Sequence, residues 1–523
     1  RLRSMRSTKS CEETMITNIS STIRRARLRL VVAALMSLLL VGGALAQSDP
    51  SGTLKVGMES PSKLDPAYAS SDAEIAVLNA VYDYLVDVDA DNNIQPRLAT
   101  SWHVSQDGLT YTFELAKNAT WHDGSPVTAQ DVVYTFDRLR NPDLKLPTSD
   151  LYADIDTIKA TGTHEVTFTL KHTNPFFLYD LSDNHAVIVK NGTTDFGKTF
   201  DGSGPFVVQS YHPDDRMVLT ANPHYFMAGK PGVAKLELIF FSDQAAEVSA
   251  LRGGQIDVAM RLPSSLYESL KNVKGITRLD VPTNGFNVVR LRSDRKPGSD
   301  PRVVEALKLA VDRQAVTQAV TQGLGVVGND TPIGPLYKKY YDASATPPKA
   351  DPAKAKQLLK EAGYPNGLKL DLYTPNTGDR PDLAVVLKQQ LAKAGFDVHV
   401  VVEPESVYYG DNKWLQVDFG ITGWGSRPYP QFYLNVMLEC GAKWNESHYC
   451  NPAFDKLAKE AGNTLDAQTR IEDYHKIQQM LASSGPIVIP YFFPQLGAIR
   501  DGFTGFQLKA FAGRTDLAAV HAK

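Results

Sequence analysis

The sequence predicts an α/β fold, because helical and strand patterns alternate along most of its length. Asp-Pro pairs at residues 300–301 and 351–352 each open a predicted helix, with the acid as cap and proline in the first helical position. Residues 368–373, 381–393 and 396–402 have the pattern strand, helix, strand. Such a unit is usually parallel and leaves functional loops at the carboxyl ends of its strands.

The other elements follow from local patterns. Residues 109–115 alternate polar and apolar side chains, which is typical of a half-buried strand. A Gly-Ser-Gly-Pro sequence within 201–205 predicts a crossing between domains. The remaining predicted strands are 53–56, 164–170, 205–209, 216–220, 235–241, 417–421 and 487–492. The remaining predicted helices are 73–88, 129–140, 452–461 and 466–482.

The composition is that of an ordinary globular protein. The 523 residues include 55 Lys+Arg and 58 Asp+Glu, and 43% are hydrophobic. Fibrous, disordered and disulfide-dense classes are therefore excluded. A nearly neutral chain also lacks the basic excess by which proteins displace counterions from nucleic acid, so no nucleic-acid partner is expected.

Residues 1–46 have the pattern of a cleaved export signal. Four arginines between positions 24 and 29 precede an apolar run, and Ala44-Leu45-Ala46 supplies the small residues around a cleavage site. The alternative is a membrane-spanning helix, but the run 30–45 is short of the ~20 residues that a bilayer requires. We therefore expect a periplasmic protein with cleavage near Ala46.

Two cysteines, Cys440 and Cys450, remain after the signal. In an oxidising compartment such a pair favours a disulfide. The alternative is metal binding with His448, but the spacing lacks the usual ligand set. We expect the disulfide and no metal or cofactor.

Two glycine motifs do not predict nucleotide binding. Residues 192–199 match GxxxxGK[ST], but the Gly- and Pro-rich residues 200–205 that follow cannot form the required helix. Residues 323–328 match GxGxxG, but the motif follows a predicted helix instead of a strand. The chain also lacks HExxH, GxSxG and CxxC motifs. An exported hydrolase, which needs a nucleophile with a base, stays an alternative that these motifs do not favour.

Several motifs resemble the peptide/opine/nickel group, family 5, of periplasmic solute-binding proteins that serve ABC importers. They occur in order across some 300 residues, which makes the resemblance more specific than either glycine motif. They include LATSW at 98–102, DGLTYTF at 107–113, WHDG at 121–124, GSGPF at 202–206, AVDR at 310–313 and AGYPNG at 362–367.

The resemblance implies a type II periplasmic-binding-protein fold, in which two lobes close over a ligand and an extra domain enlarges the first lobe. The implied boundaries are 1–46 for the signal, 47–80 with 201–283 and 487–523 for the core of the first lobe, 81–200 for the extra domain and 284–486 for the second lobe.

The resemblance also implies a function. The protein is expected to act as a monomer that captures a small peptide-like or opine-like solute and delivers it to an inner-membrane ABC permease. A nickel-chelate, haem or oligosaccharide receptor on the same scaffold is an alternative, and a role in chemosensing shares the same binding chemistry.

The loop that begins at Gly423 is the main candidate for the site. In peptide binders of this family the corresponding loop carries an aspartate for the ligand's ammonium group, whereas here Arg427 stands near that position. A guanidinium suits a carboxylate, so we expect Arg427 to bind an anionic group. The alternative is that Arg427 points outward or pairs with Glu446. The further candidates for ligand contact are Trp424, Tyr429, Gln431, Asn284, Phe286, Asn287 and Tyr68.

Overall fold

Three β-sheets of four or more strands carry the fold in the computed structural model, which describes residues 49–69, 71–149 and 151–523. The predicted signal segment 1–46 lies outside the described residues. Within the described ranges, no helix combines the length and the apolar character needed to cross a membrane.

The first sheet has seven strands of mixed direction. Thr53–Met58 lies near its centre and runs parallel to Lys235–Phe240 and to Val258–Ala259. The outer pairings are antiparallel. In spatial order the strands are Phe206–His212, Arg216–Ala221, Lys235–Phe240, Thr53–Met58, Val258–Ala259, Gln495–Arg500 and Ile276–Val281.

The second sheet contains the predicted parallel unit, which is confirmed. Leu368–Pro375 runs parallel to Phe396–Glu403, and helix Arg380–Lys393 connects them. Phe419–Trp424 pairs parallel to the first of these strands and antiparallel to Phe286–Leu291. In spatial order the strands are Val326–Val327, Tyr491–Phe492, Phe286–Leu291, Phe419–Trp424, Leu368–Pro375 and Phe396–Glu403, with Ile487–Val488 also paired to Phe286–Leu291.

A smaller antiparallel sheet lies within residues 99–170 and includes the two predicted alternating strands. Its strands, in spatial order, are Ala99–Val104, Thr110–Leu115, Glu165–Leu170 and Ile155–Gly162. The two-stranded pairs are Asp83–Tyr84 with Val187–Ile188, Val86–Val88 with Ile94–Pro96, and Phe503–Thr504 with His521–Ala522.

The helices begin where the capping residues predict. Asp300 accepts a hydrogen bond from the Arg302 amide at 3.0 Å, and Asp351 accepts one from the Lys354 amide at 2.9 Å. The α-helices are Asp72–Val81, Ala129–Leu139, Phe177–Asp180, Gln244–Arg252, Ser264–Ser269, Pro301–Ala310, Arg313–Thr321, Pro352–Glu361, Arg380–Lys393, Glu405–Tyr409, Gln431–Tyr433, Pro452–Asn463 and Ala467–Ser484. Single turns of other helix types are Pro66–Tyr68, Pro142–Leu144, Pro335–Tyr337, Gly410–Leu415, Leu434–Leu438, Ala512–Arg514 and Leu517–Ala519.

The predicted helix 73–88 is wrong beyond Val81. The backbone becomes extended at Tyr82, with φ −114° and ψ 176°. Asp83–Tyr84 then forms a strand with Val187–Ile188. The partner strand lies about a hundred residues further along the chain, so local helical periodicity could not reveal this pairing.

Steric constraints explain why glycines occupy the predicted crossing at 201–205. The Gly204 amide donates a hydrogen bond to the Val81 carbonyl at 2.9 Å. A Cβ atom on Gly202 would lie 1.8 Å from the same carbonyl oxygen. The chain can pass this close to the end of the helix only without a side chain.

The predicted final strand 487–492 is interrupted. Pro490 separates Ile487–Val488 from Tyr491–Phe492, and proline has no amide hydrogen to continue a strand ladder. Both short strands pair in the second sheet. The chain therefore re-enters the first sheet at Gln495–Arg500 instead of at residue 487.

The predicted disulfide is confirmed. Cys440 and Cys450 are joined, with their Cα atoms 4.4 Å apart. Because the bond closes a short loop, the double variant Cys440→Ser/Cys450→Ser should lose roughly 2–3 kcal/mol of unfolding free energy. Urea denaturation of the oxidised protein and the variant measures the difference.

Reduced wild-type protein is the control for this experiment, and it should unfold at the same urea concentration as the double variant. Equal midpoints for the oxidised protein and the variant would show that the bond does not contribute to stability.

Candidate functional site

A cavity of about 460 Å³ lies where several distant parts of the chain meet. Its lining residues come from the stretches 88–92, 151–184, 426–463 and 509–514. The first stretch begins at the end of the short strand Val86–Val88, and the second includes two strands of the smaller antiparallel sheet. The third follows a strand of the second sheet. Volumes of this size are usual for sites that bind small molecules.

One wall is the loop after Phe419–Trp424, as the position at a strand's carboxyl end predicts. Pro428 and Pro430 restrict the loop backbone, and a short helix starts at Gln431. The loop residues Ser426, Arg427 and Tyr429 thereby come to line the cavity.

Arg427 is half-buried, and its guanidinium is held by aromatic rings. The guanidinium carbon lies 4.7 Å from the ring centre of Phe432 and 5.6 Å from that of Phe511. Nη1 donates a long hydrogen bond, 3.4 Å, to the Ser426 carbonyl, and Nε has no hydrogen-bond partner among the described residues. The side chain thus faces the cavity with donors available.

Glu446, the other partner considered for Arg427, is occupied elsewhere. One of its carboxylate oxygens accepts from Arg290 Nε at 3.1 Å, and the other accepts from Trp424 Nε1 at 3.0 Å. Arg290 and Glu446 are both fully buried. This ion pair belongs to the scaffold behind the loop.

Four aspartates line the facing wall, Asp89, Asp154, Asp180 and Asp183. Two of them interact with the loop, and Asp180 is the first. Tyr429 Oη donates a hydrogen bond to Asp180 Oδ1, and Asn174 Nδ2 donates to Oδ2 at 2.7 Å. Burial raises the pKa of Asp180 to about 7, although these two hydrogen bonds act in the opposite direction. Asp180 therefore joins the two walls.

Asp183 is the second aspartate. His185 approaches its Oδ1 atom with the backbone amide at 3.1 Å and with Nδ1 at 2.5 Å. Burial acts to raise the pKa of Asp183, but the interactions with His185 and with Arg427 hold that pKa below its usual range. Asp183 is therefore ionised at neutral pH.

The two walls are in contact at the edge of the cavity. The Phe176 and Tyr429 rings stack with centres 4.8 Å apart and an interplanar angle of 14°. Thr173 Oγ1 donates a hydrogen bond to the Asn463 carbonyl at 2.6 Å. These contacts join the two walls at one edge of the cavity.

Of the residues predicted for ligand contact, Arg427, Tyr429 and Gln431 line the cavity. The Gln431 side chain is already engaged, since Nε2 donates to the Ala458 carbonyl at 3.0 Å and Oε1 accepts from Tyr474 at 2.9 Å. Gln431 therefore positions the short helix behind Arg427.

The aromatic residues Trp424 and Phe286 do not line the cavity. Trp424 donates its indole hydrogen to Glu446 and packs edge-on against Tyr433. Phe286 is buried in contact with Tyr433 and Phe492. Both residues occupy core positions beneath the loop.

Asn284, Asn287 and Tyr68 also lie outside the cavity lining. Asn287 donates to Asp379 at 2.8 Å and to Tyr491 at 3.0 Å. Asn284 touches the loop through its backbone amide, which donates to Ser426 Oγ at 3.1 Å. The Tyr68 ring lies beneath the Lys63 ammonium group at 4.8 Å.

Sequence reasoning missed Asp180, Asp183 and Phe511. The two aspartates lie three residues apart, a spacing that places side chains on one side of a helical turn. That spacing was the only local sequence signal for a site at these aspartates. The wall opposite them comes from residues about 250 positions away, and local sequence does not show that the two segments meet. The described residues include no cluster of three or more metal-ligating side chains.

Residues 93–445 match the sequence model of the bacterial extracellular solute-binding proteins, family 5. The chain belongs to this family. A probable di/tripeptide-binding protein 5 from Pseudomonas aeruginosa (strain UCBPP-PA14) is 29% identical, over 94% of this chain and 99% of that protein. A periplasmic murein peptide-binding protein, MppA, from Escherichia coli (strain K12) is 26% identical over 86% and 89%, respectively.

The fold of this family 5 protein is also found among solved structures. The binding protein AgaA from A. tumefaciens R10, in complex with agropinic acid, superposes with a TM-score of 0.80 at 25% identity, over 90% of this chain and 99% of AgaA. The predicted type II periplasmic-binding-protein fold is therefore confirmed. These relatives are binding proteins.

Proposed function

We propose that this protein is the periplasmic substrate-binding component of an ABC importer and that it captures a small peptide-like or opine-like solute with a carboxylate group. The observation that carries the proposal is Arg427, which lines the cavity and whose guanidinium forms no ion pair with a described residue. A planar guanidinium between aromatic rings is suited to a bidentate carboxylate.

Capture would occur by closure of two lobes. The first lobe comprises the first sheet together with the extra domain 81–200, and the second lobe is built on the second sheet. The cavity lies between residues of the extra domain and residues that follow the second sheet. A ligand that contacts both walls stabilises the closed state over an open one by its differential affinity.

The closed lobes would then present the surface that docks on the inner-membrane permease, with the protein acting as a monomer. We infer binding without catalysis, in keeping with the relatives, which are named for what they bind.

A thermal-shift panel tests the carboxylate requirement. Di- and tripeptides, opine-type conjugates and the matching carboxyl-terminal amides are added to the protein without its signal segment. A ligand at 100 times its Kd adds about 2.7 kcal/mol of stability. We expect the acids to raise Tm and their amides to have little effect.

The amides are the matched control, because they differ from the acids only in the anionic group. Equal stabilisation by acids and amides would contradict the proposed role of the carboxylate, and so would the absence of any response to the acids.

A further inference from the structure

The wall opposite Arg427 contains one largely buried carboxylate that has an oxygen without a hydrogen bond from a described residue. Asp183 lines the cavity, its side chain is 15% exposed, and His185 makes its contacts with Oδ1. No hydrogen bond from a described residue reaches Oδ2.

The other aspartates of the cavity are either engaged at both oxygens or in their own turn, or exposed enough that water screens their charge. Both oxygens of Asp180 accept hydrogen bonds. Asp89 accepts hydrogen bonds from amides of its own turn. Asp154 is 47% exposed and lies 3.2 Å from His172. Asp183 is therefore the aspartate of the lining that can receive a new cationic partner inside the cavity.

Arg427 and Asp183 interact electrostatically, but they do not form an ion pair. Each is partly desolvated. Arg427 has no ion-pair partner among the described residues, and Asp183 has His185 at one oxygen only. A desolvated charge without full compensation is costly. The cavity keeps them on different walls, with the guanidinium on the loop after Phe419–Trp424 and the carboxylate just after helix Phe177–Asp180. A molecule with an anionic end and a cationic end would give Arg427 a counter-ion and would give Asp183 a second cationic partner, at its other oxygen.

We propose that Asp183 binds a free ammonium group of the same ligand whose carboxylate binds Arg427, so that the ligand is a zwitterion. This inference rests on the proposed function, and it narrows the ligand to compounds with an unblocked amine. It also places the acid for the amine on the wall facing the Gly423 loop. In peptide binders of this family the acid that binds the amine is expected on the loop. Here the loop carries the cationic Arg427, and the acid lies on the facing wall.

The test uses three pooled libraries of di- and tripeptides and opine-type conjugates: one with free ends, one with the amines acetylated and one with the carboxyl groups amidated. Each is titrated by calorimetry into the wild type, into Asp183→Asn and into Asp156→Asn. The amide side chain in Asp183→Asn keeps an oxygen that can accept the His185 amide hydrogen but loses the charge. Asp156 is exposed on a strand of the extra domain and does not line the cavity. Asp156→Asn therefore removes one negative charge, as Asp183→Asn does, and leaves the cavity unchanged.

For the wild type and Asp156→Asn we expect the free library to bind at least about 30-fold more tightly than the N-acetylated library. Acetylation removes the positive charge of the amine, and the loss of one desolvated charge pair has an effect of this size. Asp183→Asn should bind both libraries with similar affinity, and its circular dichroism melting curve should show a folded protein.

Equal binding of the free and N-acetylated libraries to the wild type would overturn the inference and leave the carboxylate proposal standing. Discrimination retained in folded Asp183→Asn would also overturn it. Binding of the amidated library with the affinity of the free one would instead contradict the proposed function, and no binding of any library would refute both.

Discussion

Replacing Arg427 with alanine is expected to weaken the binding of a carboxylate ligand by about 30- to 5,000-fold, equivalent to about 2–5 kcal/mol. The effect is large because the ligand's carboxylate would be buried without its cationic partner. Isothermal titration with the compound that gives the largest thermal shift measures it.

Two further variants separate this role from a general loss of positive charge. Arg427→Lys keeps the charge but loses the planar group that lies over Phe432 and Phe511, so intermediate affinity is expected. Lys456→Ala removes a cation that is 77% exposed on a helix surface and should bind normally. Unchanged affinity in Arg427→Ala would show that this guanidinium does not anchor the ligand.

The largest expected loss of stability comes from Asp330→Asn. Asp330 is fully buried between two cations: Lys308 Nζ lies 2.9 Å from Oδ2, and Arg313 Nε lies 2.8 Å from Oδ1. Lys308 also donates to the carbonyls of Leu481 and Ile487, at 3.1 and 3.0 Å. The carboxylate therefore supplies the counter-charge where several segments around the second sheet meet.

Removing this charge would leave two buried cations without a counter-ion, which costs about 3–5 kcal/mol. Urea unfolding of Asp330→Asn should show a much lower midpoint than the wild type. Asp214→Asn, at an exposed turn, is the matched control and should change stability by less than about 0.5 kcal/mol. A midpoint of Asp330→Asn close to that of the wild type would mean that the ion cluster does not stabilise the fold.

The same cluster has an expected pH dependence. Burial acts to raise the pKa of Asp330, but Arg313 and Lys308 lower it overall. An acid with a lowered pKa in the folded state contributes stability above its unfolded pKa and loses it as the pH falls. The difference between wild type and Asp330→Asn should therefore shrink on acidification.

The elements that the sequence predicts correctly depend on nearby residues. The helices capped by Asp300 and Asp351 and the parallel unit 368–403 each carry their signals within one segment. Residues 83–88 were predicted incorrectly because the strand partner of Asp83–Tyr84 is far along the chain. Local periodicity carries no information about such a partner.

The candidate site also has one part that local sequence predicts and another that it does not. The loop carrying Arg427 was predictable, because a resemblance and a strand end both indicate it. The facing Asp183, and Phe511 beside the guanidinium, reach the cavity only through tertiary packing. Trp424 is an aromatic residue of the correct loop, but its indole points to Glu446 in the core, and a sequence does not show which way a side chain points.

A crystal structure of the protein with its strongest stabilising ligand tests the central claim most directly. We expect a ligand in the cavity, with one of its carboxylates about 2.7–2.9 Å from two nitrogens of Arg427. A ligand in the cavity with no anionic group near Arg427, or an Arg427 side chain turned out of the cavity, would contradict it.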